Sequence, residues 1–153
     1  MRATGVGSRP VAAVAVSASV LVGLPALYFL TGYGCGADED RLAEVMAAET
    51  VLDGAPEGAR REDRYQECDD DDRFVVVAAQ YRYDGTSGAA LRHYGEAARA
   101  DGWRPRDGAG SGTAPSCFAK SLGGTTAYLQ VEGPEHGLLH VSLVADAAKS
   151  QWC

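Results

Sequence analysis

The longest apolar run in the sequence covers residues 11–33, and no side chain in it carries a charge. At about 1.5 Å rise per residue, roughly 23 helical residues extend about 34 Å, which is enough to cross a bilayer core. Arg2 and Arg9 precede the run, and positive charge favours the cytoplasmic side of a membrane. The pattern predicts a cytoplasmic tail at 1–10, a transmembrane helix at 11–33 and an extracytoplasmic remainder.

Two other interpretations of this run stay open. A cleaved signal peptide has an apolar core of about 7–15 residues and a cleavage site between small residues, for which Gly32 and Gly34 are candidates on either side of the bulky Tyr33. A bacterial lipoprotein would be acylated on Cys35, but Gly32 occupies the position where the lipoprotein motif has an aliphatic residue. All three interpretations place the rest of the chain outside the cytoplasm.

Hydrophobic periodicity beyond this run predicts two amphipathic helices. The first covers 38–52 and the second covers 87–100. Glycine and proline follow the first helix, so we expect residues 34–58 to form a membrane-proximal helix and linker. The apolar stripes consist of Leu42, Val45, Met46 and Val51 in the first helix and Leu91, Tyr94 and Ala98 in the second.

Alternating and short apolar runs predict the strands. The clearest covers 74–83, with apolar side chains on both faces of its first half, as in a central strand. The others are a weak strand at 60–65, a strand that begins at Trp103 and is broken by Pro105, a hairpin at 117–131 and a last strand at 138–145. The expected fold is α+β: an extracytoplasmic domain at 59–153, with two helices on a mainly antiparallel sheet of four to five strands.

The net charge of the chain indicates which classes of partner it can bind. Two of the 14 basic residues precede the apolar run, so the remaining chain carries 12 basic and 21 acidic side chains, a formal net charge of −9. Such a surface repels nucleic acid and anionic headgroups and attracts cations or basic partners.

The four cysteines are far apart in the sequence and form no CxxC pair, which disfavours a zinc ribbon or a thioredoxin-type site. In an oxidising compartment they predict disulfides, with three possible pairings. We favour Cys68–Cys117, because both residues lie at predicted sheet ends, with Cys35–Cys153 as a possible second pair. Acylation of Cys35 would leave Cys153 unpaired within the chain.

Few residues are candidates for chemistry. The acidic run of Asp69, Asp70, Asp71 and Asp72 is the best cation candidate, but it lacks the alternating D-x-D-x-D-G spacing of calcium loops, so a solvated loop is the simpler interpretation. His136 and His140 would stand about 13 Å apart on a strand, too far to share a metal ion.

The other residues that could take part in binding or catalysis are more simply interpreted as structural. We interpret His93 as a surface residue and the aromatic residues Tyr81, Tyr83, Tyr94 and Trp103 as core rather than as the lining of a ligand groove. There is no G-x-S-x-G elbow and no phosphate-binding loop. We therefore expect no enzyme activity and no cofactor.

Several short segments resemble small actinobacterial envelope proteins that carry an N-terminal anchor or lipobox. These are Tyr81-Arg82-Tyr83, the helix that ends at Asp101-Gly102-Trp103, and the hairpin that opens with Cys117-Phe118-Ala119-Lys120. The resemblance covers most of the outer domain and implies a location and a fold, but no functional residue. The expected function is binding of an envelope component or partner protein; the alternative is a cation or small-ligand sensor that uses the acidic loop.

Overall fold

Six antiparallel strands form one sheet in the computed structural model, which describes residues 34–106 and 115–153. The order across the sheet is β1-β2-β6-β5-β4-β3. The strands are β1 (Arg60–Cys68), β2 (Phe74–Arg82), β3 (Arg104–Pro105), β4 (Cys117–Leu122), β5 (Thr125–Glu135) and β6 (Leu138–Asp146). The predicted α+β class is confirmed, with one strand more than expected.

Two helices pack on one face of this sheet: α1 (Ala37–Ala47) and α2 (Ser87–Ala100). The bounds of α2 are those predicted, and the side chain of its N-cap residue, Thr86, accepts a hydrogen bond from the backbone N–H of Ala89 at 3.2 Å. α1 ends five residues earlier than predicted, and a short 3₁₀ turn (Thr50–Leu52) follows it.

The core lies between the helices and the sheet face that they cover. Alternate side chains of β2, β6 and β5 point to this face, as strand geometry requires, and they are almost fully buried. On β2 and β6 they are Val75, Val77, Ala79 and Tyr81 of β2 and Leu139, Val141, Leu143 and Ala145 of β6. We call the opposite side of the sheet the open face; it includes Phe74, Val76, Ala78, Gln80 and Arg82 of β2.

Residues 34–153 form one compact unit, so the predicted boundary at residue 59 is wrong. Leu42, Met46 and Leu52 are buried in the same core as the strands, which makes α1 part of the domain rather than part of a linker. The predicted tail and transmembrane helix at 1–33 lie outside the described residues. Within the described residues, no helix is long and apolar enough to span a membrane.

Two predicted strand ends were also placed wrongly. β1 continues to Cys68, because its polar side chains are accommodated at a sheet edge where burial is not required. β5 continues through Gly133-Pro134, a cis peptide bond, and the turn follows at residues 136–137.

The structure contains two disulfides, Cys35–Cys68 and Cys117–Cys153, with Cα–Cα distances of 6.2 and 6.3 Å. The predicted pairing of Cys68 with Cys117, and therefore of Cys35 with Cys153, is wrong for a geometric reason. β1 and β4 are four strand positions apart, roughly 19 Å at the usual spacing, and a disulfide needs Cα atoms within about 7 Å. The register also puts Cys68 on the helix face and Cys117 on the open face.

The Cys35–Cys68 bond bears on the lipoprotein interpretation as well. A sulfur atom in a disulfide cannot also carry a thioether-linked lipid, so Cys35 as the structure has it is not a lipidation site. Two disulfides in a chain of this length are typical of domains that fold in an oxidising compartment outside the cytoplasm.

Candidate binding surface on the open face

One part of the open face is covered by the segment that follows β6. We call residues 147–153 the strap. The strap residue Trp152 contacts Phe74 of β2, with ring centroids 4.9 Å apart, and its carbonyl accepts a hydrogen bond from Gln130 of β5 at 2.5 Å. Because β6 lies between β2 and β5, the strap crosses the centre of the sheet. Cys153 then joins Cys117 of β4, so the strap is closed at its far end.

Several side chains on the open face are buried although neither α1 nor α2 packs on this face. Ala78, Tyr128, Ser142 and Val144 point to the open face, and each is at most 6% exposed. Of the apolar residues that the first half of β2 places on the open face, Ala78 is therefore buried, and Phe74 and Val76 are half-buried.

The other part of the open face is exposed and forms a shallow groove of about 320 Å³, which we call the open-face groove. Its polar centre is a row of direct cross-strand neighbours, Gln80 of β2, His140 of β6 and Glu132 of β5. The complete lining is Gln80, Glu132, Gly133, Glu135, His136, Leu138 and His140.

His140 contacts polar side chains on two other strands. Its Nε2 atom lies 3.1 Å from the hydroxyl of Tyr65, and the two rings stack at an angle of 23°. Its Nδ1 atom lies 3.9 Å from a carboxylate oxygen of Glu132, within ion-pair reach when the imidazole is protonated. The imidazole therefore bridges the Tyr65 hydroxyl on the edge strand and the Glu132 carboxylate on β5.

The charge of the groove is negative. The carboxylates of Glu132 and Glu135 are 70% and 85% exposed, and none of the lining residues is lysine or arginine. Arg82 borders the groove, but its guanidinium is paired with Glu62 at 3.0 Å. The groove thus offers two carboxylates, two imidazoles and an amide to a ligand.

The sequence identified only part of this site. His136 and His140, expected not to share a metal ion, lie in one groove, and no group of three or more metal-binding side chains occurs among the described residues. Tyr65, Gln80 and Glu132 were missed. They are far apart in the sequence, and only the strand order and register bring them beside His140.

The acidic run is a turn between β1 and β2. The Asp69 carboxylate accepts hydrogen bonds from the backbone N–H groups of Asp71 and Asp72 at 3.0 and 2.9 Å. The Asp70 carboxylate accepts one from the backbone N–H of Cys35 at 3.0 Å. Two of the four carboxylates therefore satisfy backbone donors, as aspartate often does in turns.

The aromatic residues interpreted as core are confirmed: Tyr81, Tyr83, Tyr94 and Trp103 are at most 6% exposed. The prediction for His93 needs correction, because its side chain is half-buried and packs edge-on against Tyr94, with ring centroids 5.1 Å apart. His93 therefore lies at the boundary between the buried and the exposed faces of α2 rather than on the exposed face.

An ion-pair cluster on the helix side of the sheet connects β4 to the segment after α1 and to the C-terminal end of α2. Lys120 Nζ lies 2.7 Å from a carboxylate oxygen of Glu49 and 3.4 Å from one of Asp101. Burial opposes the charge on Lys120, but these two carboxylates outweigh it and raise the pKa of the ammonium group. Lys120 is paired with both carboxylates, so we interpret the cluster as stabilising the fold rather than as a binding site.

Comparison with protein-family models, with curated proteins and with solved structures finds no match to this chain.

Proposed function

We propose that the chain is a single-pass membrane protein whose extracytoplasmic domain is not an enzyme and binds a lysine- or arginine-rich segment of a partner protein in the open-face groove. The observation that carries the proposal is the lining of this groove, in which the exposed carboxylates of Glu132 and Glu135 lie near His140 and no lysine or arginine is among the lining residues. The oxidised cysteines support the location outside the cytoplasm.

Charge complementarity supports the choice of a cationic partner. The chain after the apolar run carries a formal net charge of −9, which attracts basic segments over a distance of about one Debye length, roughly 8–10 Å. A single exposed ion pair contributes only about 0.2–1 kcal/mol, so useful affinity requires several contacts along an extended segment. A groove that crosses three strands offers such contacts.

The chemistry of the groove supports binding over catalysis. A Tyr–His–Glu arrangement needs a nucleophile or an activated water molecule to act in covalent or hydrolytic catalysis. All four cysteines are in disulfides, so no thiol is available for this role. The acidic turn is a weaker candidate for cation sensing, because the Asp69 and Asp70 carboxylates already accept backbone hydrogen bonds.

The binding proposal is tested by calorimetric titration of the full chain, in detergent, with a decalysine peptide. The double variant E132Q/E135Q should weaken binding about fivefold, since loss of two exposed pairs costs about 1 kcal/mol. The matched control is E57Q/E96Q, which removes two exposed carboxylates outside the groove and leaves the same net charge. Equal weakening by both variants would contradict binding in the groove.

The location is tested separately by reporter fusions after Cys153. A reporter that is active only outside the cytoplasm should work, and one that is active only inside should not. The opposite result would overturn the topology without deciding what the groove binds.

A further inference from the structure

We propose that the Cys117–Cys153 disulfide is a redox latch. In this proposal, reduction by an external dithiol releases the strap from the open face while Cys35–Cys68 stays closed. The proposal does not depend on what the groove binds, because it concerns the other part of the open face.

The disulfide is the main attachment of the strap. Besides the disulfide, the strap makes a hydrogen bond from Gln130 to the carbonyl of Trp152, a ring contact between Trp152 and Phe74, and a hydrogen bond from the backbone N–H of Ser150 to Asp146 at 2.9 Å. The last of these lies at the base of the strap and does not hold its far end. The residues from Ala147 to Gln151 are exposed, so little burial opposes their release.

The two disulfides differ in access. Cys153 is exposed, whereas its partner Cys117 is 2% exposed, so we expect an external thiolate to attack at Cys153. Both cysteines of the other bond are half-buried.

The reaction balances as ordinary thiol–disulfide exchange. A thiolate of the dithiol bonds to the sulfur of Cys153, and the Cys153–Cys117 bond breaks with its electron pair on Cys117, which takes up a proton. The second thiol of the reductant then attacks its own mixed disulfide and releases Cys153 as a thiol. Two electrons pass to the protein, and the dithiol becomes a disulfide.

Release changes the binding surface. Trp152 of the strap covers Phe74. Two further apolar residues on the same face, Tyr128 and Val144, are buried. A second cavity at the latch is lined by both latch cysteines and by Glu132, which also lines the open-face groove. Opening the latch would therefore extend the groove into an apolar strip over the centre of the sheet.

The first test measures which bond opens. The full chain, purified in detergent without reductant, is treated with dithiothreitol for increasing times, alkylated with N-ethylmaleimide and mapped by peptide mass. Labelling of Cys117 and Cys153 should be at least about tenfold faster than that of Cys35 and Cys68. Opening of Cys35–Cys68 at an equal or faster rate would overturn the proposal.

The second test measures whether the strap leaves the sheet. Selective reduction should shift tryptophan emission to the red, and reoxidation should reverse the shift. The W152F variant should lose this response, because the remaining Trp103 is 2% exposed within the core. The variant C117S/C153S, which lacks the latch, should show the red-shifted emission without reductant. The control variant C35S/C68S, which lacks the other disulfide, should not. Selective opening with unchanged Trp152 emission would also overturn the latch.

Discussion

The guanidinium of Arg73 donates a hydrogen bond to the buried carboxylate of Glu39 at 2.7 Å, joining the β1–β2 turn to the first turn of α1. The second carboxylate oxygen of Glu39 accepts a hydrogen bond from the backbone N–H of Gly36 at 2.9 Å. Together with the Cys35–Cys68 bond, these contacts fix the point at which the chain enters the domain.

The Glu39 carboxylate makes the domain acid-sensitive. Burial alone would raise the pKa of Glu39, but the hydrogen bonds from Arg73 and Gly36 outweigh it and hold the pKa below its usual value. A depressed folded-state pKa contributes stability above the unfolded-state pKa of about 4.3, and this contribution is lost as pH falls through the folded-state value. We expect the free energy of unfolding in urea to fall below about pH 4.3, and E39Q to reduce this pH dependence.

At pH 7, E39Q should cost about 1–3 kcal/mol, because it removes a charged hydrogen bond at a buried site. The exposed E57Q is the control and should cost less than about 0.5 kcal/mol. An E39Q protein with the stability and acid profile of the unsubstituted chain would show that this contact does not hold α1.

Removal of the hydroxyl group from Tyr81 and from Tyr94 should have opposite effects on the stability of the domain. The Tyr81 hydroxyl donates to the carbonyl of Leu52 at 2.6 Å, whereas the buried Tyr94 hydroxyl has no hydrogen-bond partner among the described residues. Burial, and then the neighbouring Tyr81, raise the pKa of Tyr94, so it stays neutral. Y81F should destabilise the domain by about 1–2 kcal/mol, and Y94F should be neutral or stabilising.

Urea unfolding of both variants measures the difference. A larger loss for Y94F than for Y81F would mean that the Tyr94 hydroxyl has a partner, such as a buried water molecule, that stabilises it.

The elements with strong periodicity could be predicted from the sequence. The bounds of α2 follow from its cap and its apolar stripe, and β2 follows from alternation. The length of β1 was underestimated, because this edge strand, Arg60–Cys68, carries charged side chains and shows no alternation.

The disulfide pairing and the binding surface could not be predicted in this way. Both depend on the strand order, in which β6 inserts between β2 and β5. That insertion puts Cys68 and Cys117 on distant strands and opposite faces, and it brings His140 beside Tyr65 and Glu132. Consecutive strands are neighbours in most sheets, so local patterns do not predict that β6 inserts between β2 and β5.

The acidic turn should act as structure rather than as a calcium site. D69A removes the acceptor for two backbone N–H groups and should cost about 1–2 kcal/mol, while the exposed D72A should cost less than about 0.5 kcal/mol. Addition of calcium to about 1 mM should leave the thermal midpoint unchanged, because a calcium site needs six to eight free oxygen ligands. A calcium-dependent rise in the midpoint that D69A abolished would favour the sensor function.

The central claim is that a cationic segment binds in the open-face groove, and the most direct measurement is the location of binding by NMR. The isotope-labelled full chain, in detergent, is titrated with decalysine, and backbone and imidazole shifts are followed. We predict that the largest changes are at Glu132, Glu135 and His140, and that E132Q/E135Q removes them while E57Q/E96Q keeps them. Changes centred on the acidic turn at 69–72, or spread evenly over all exposed carboxylates, would contradict the proposed site.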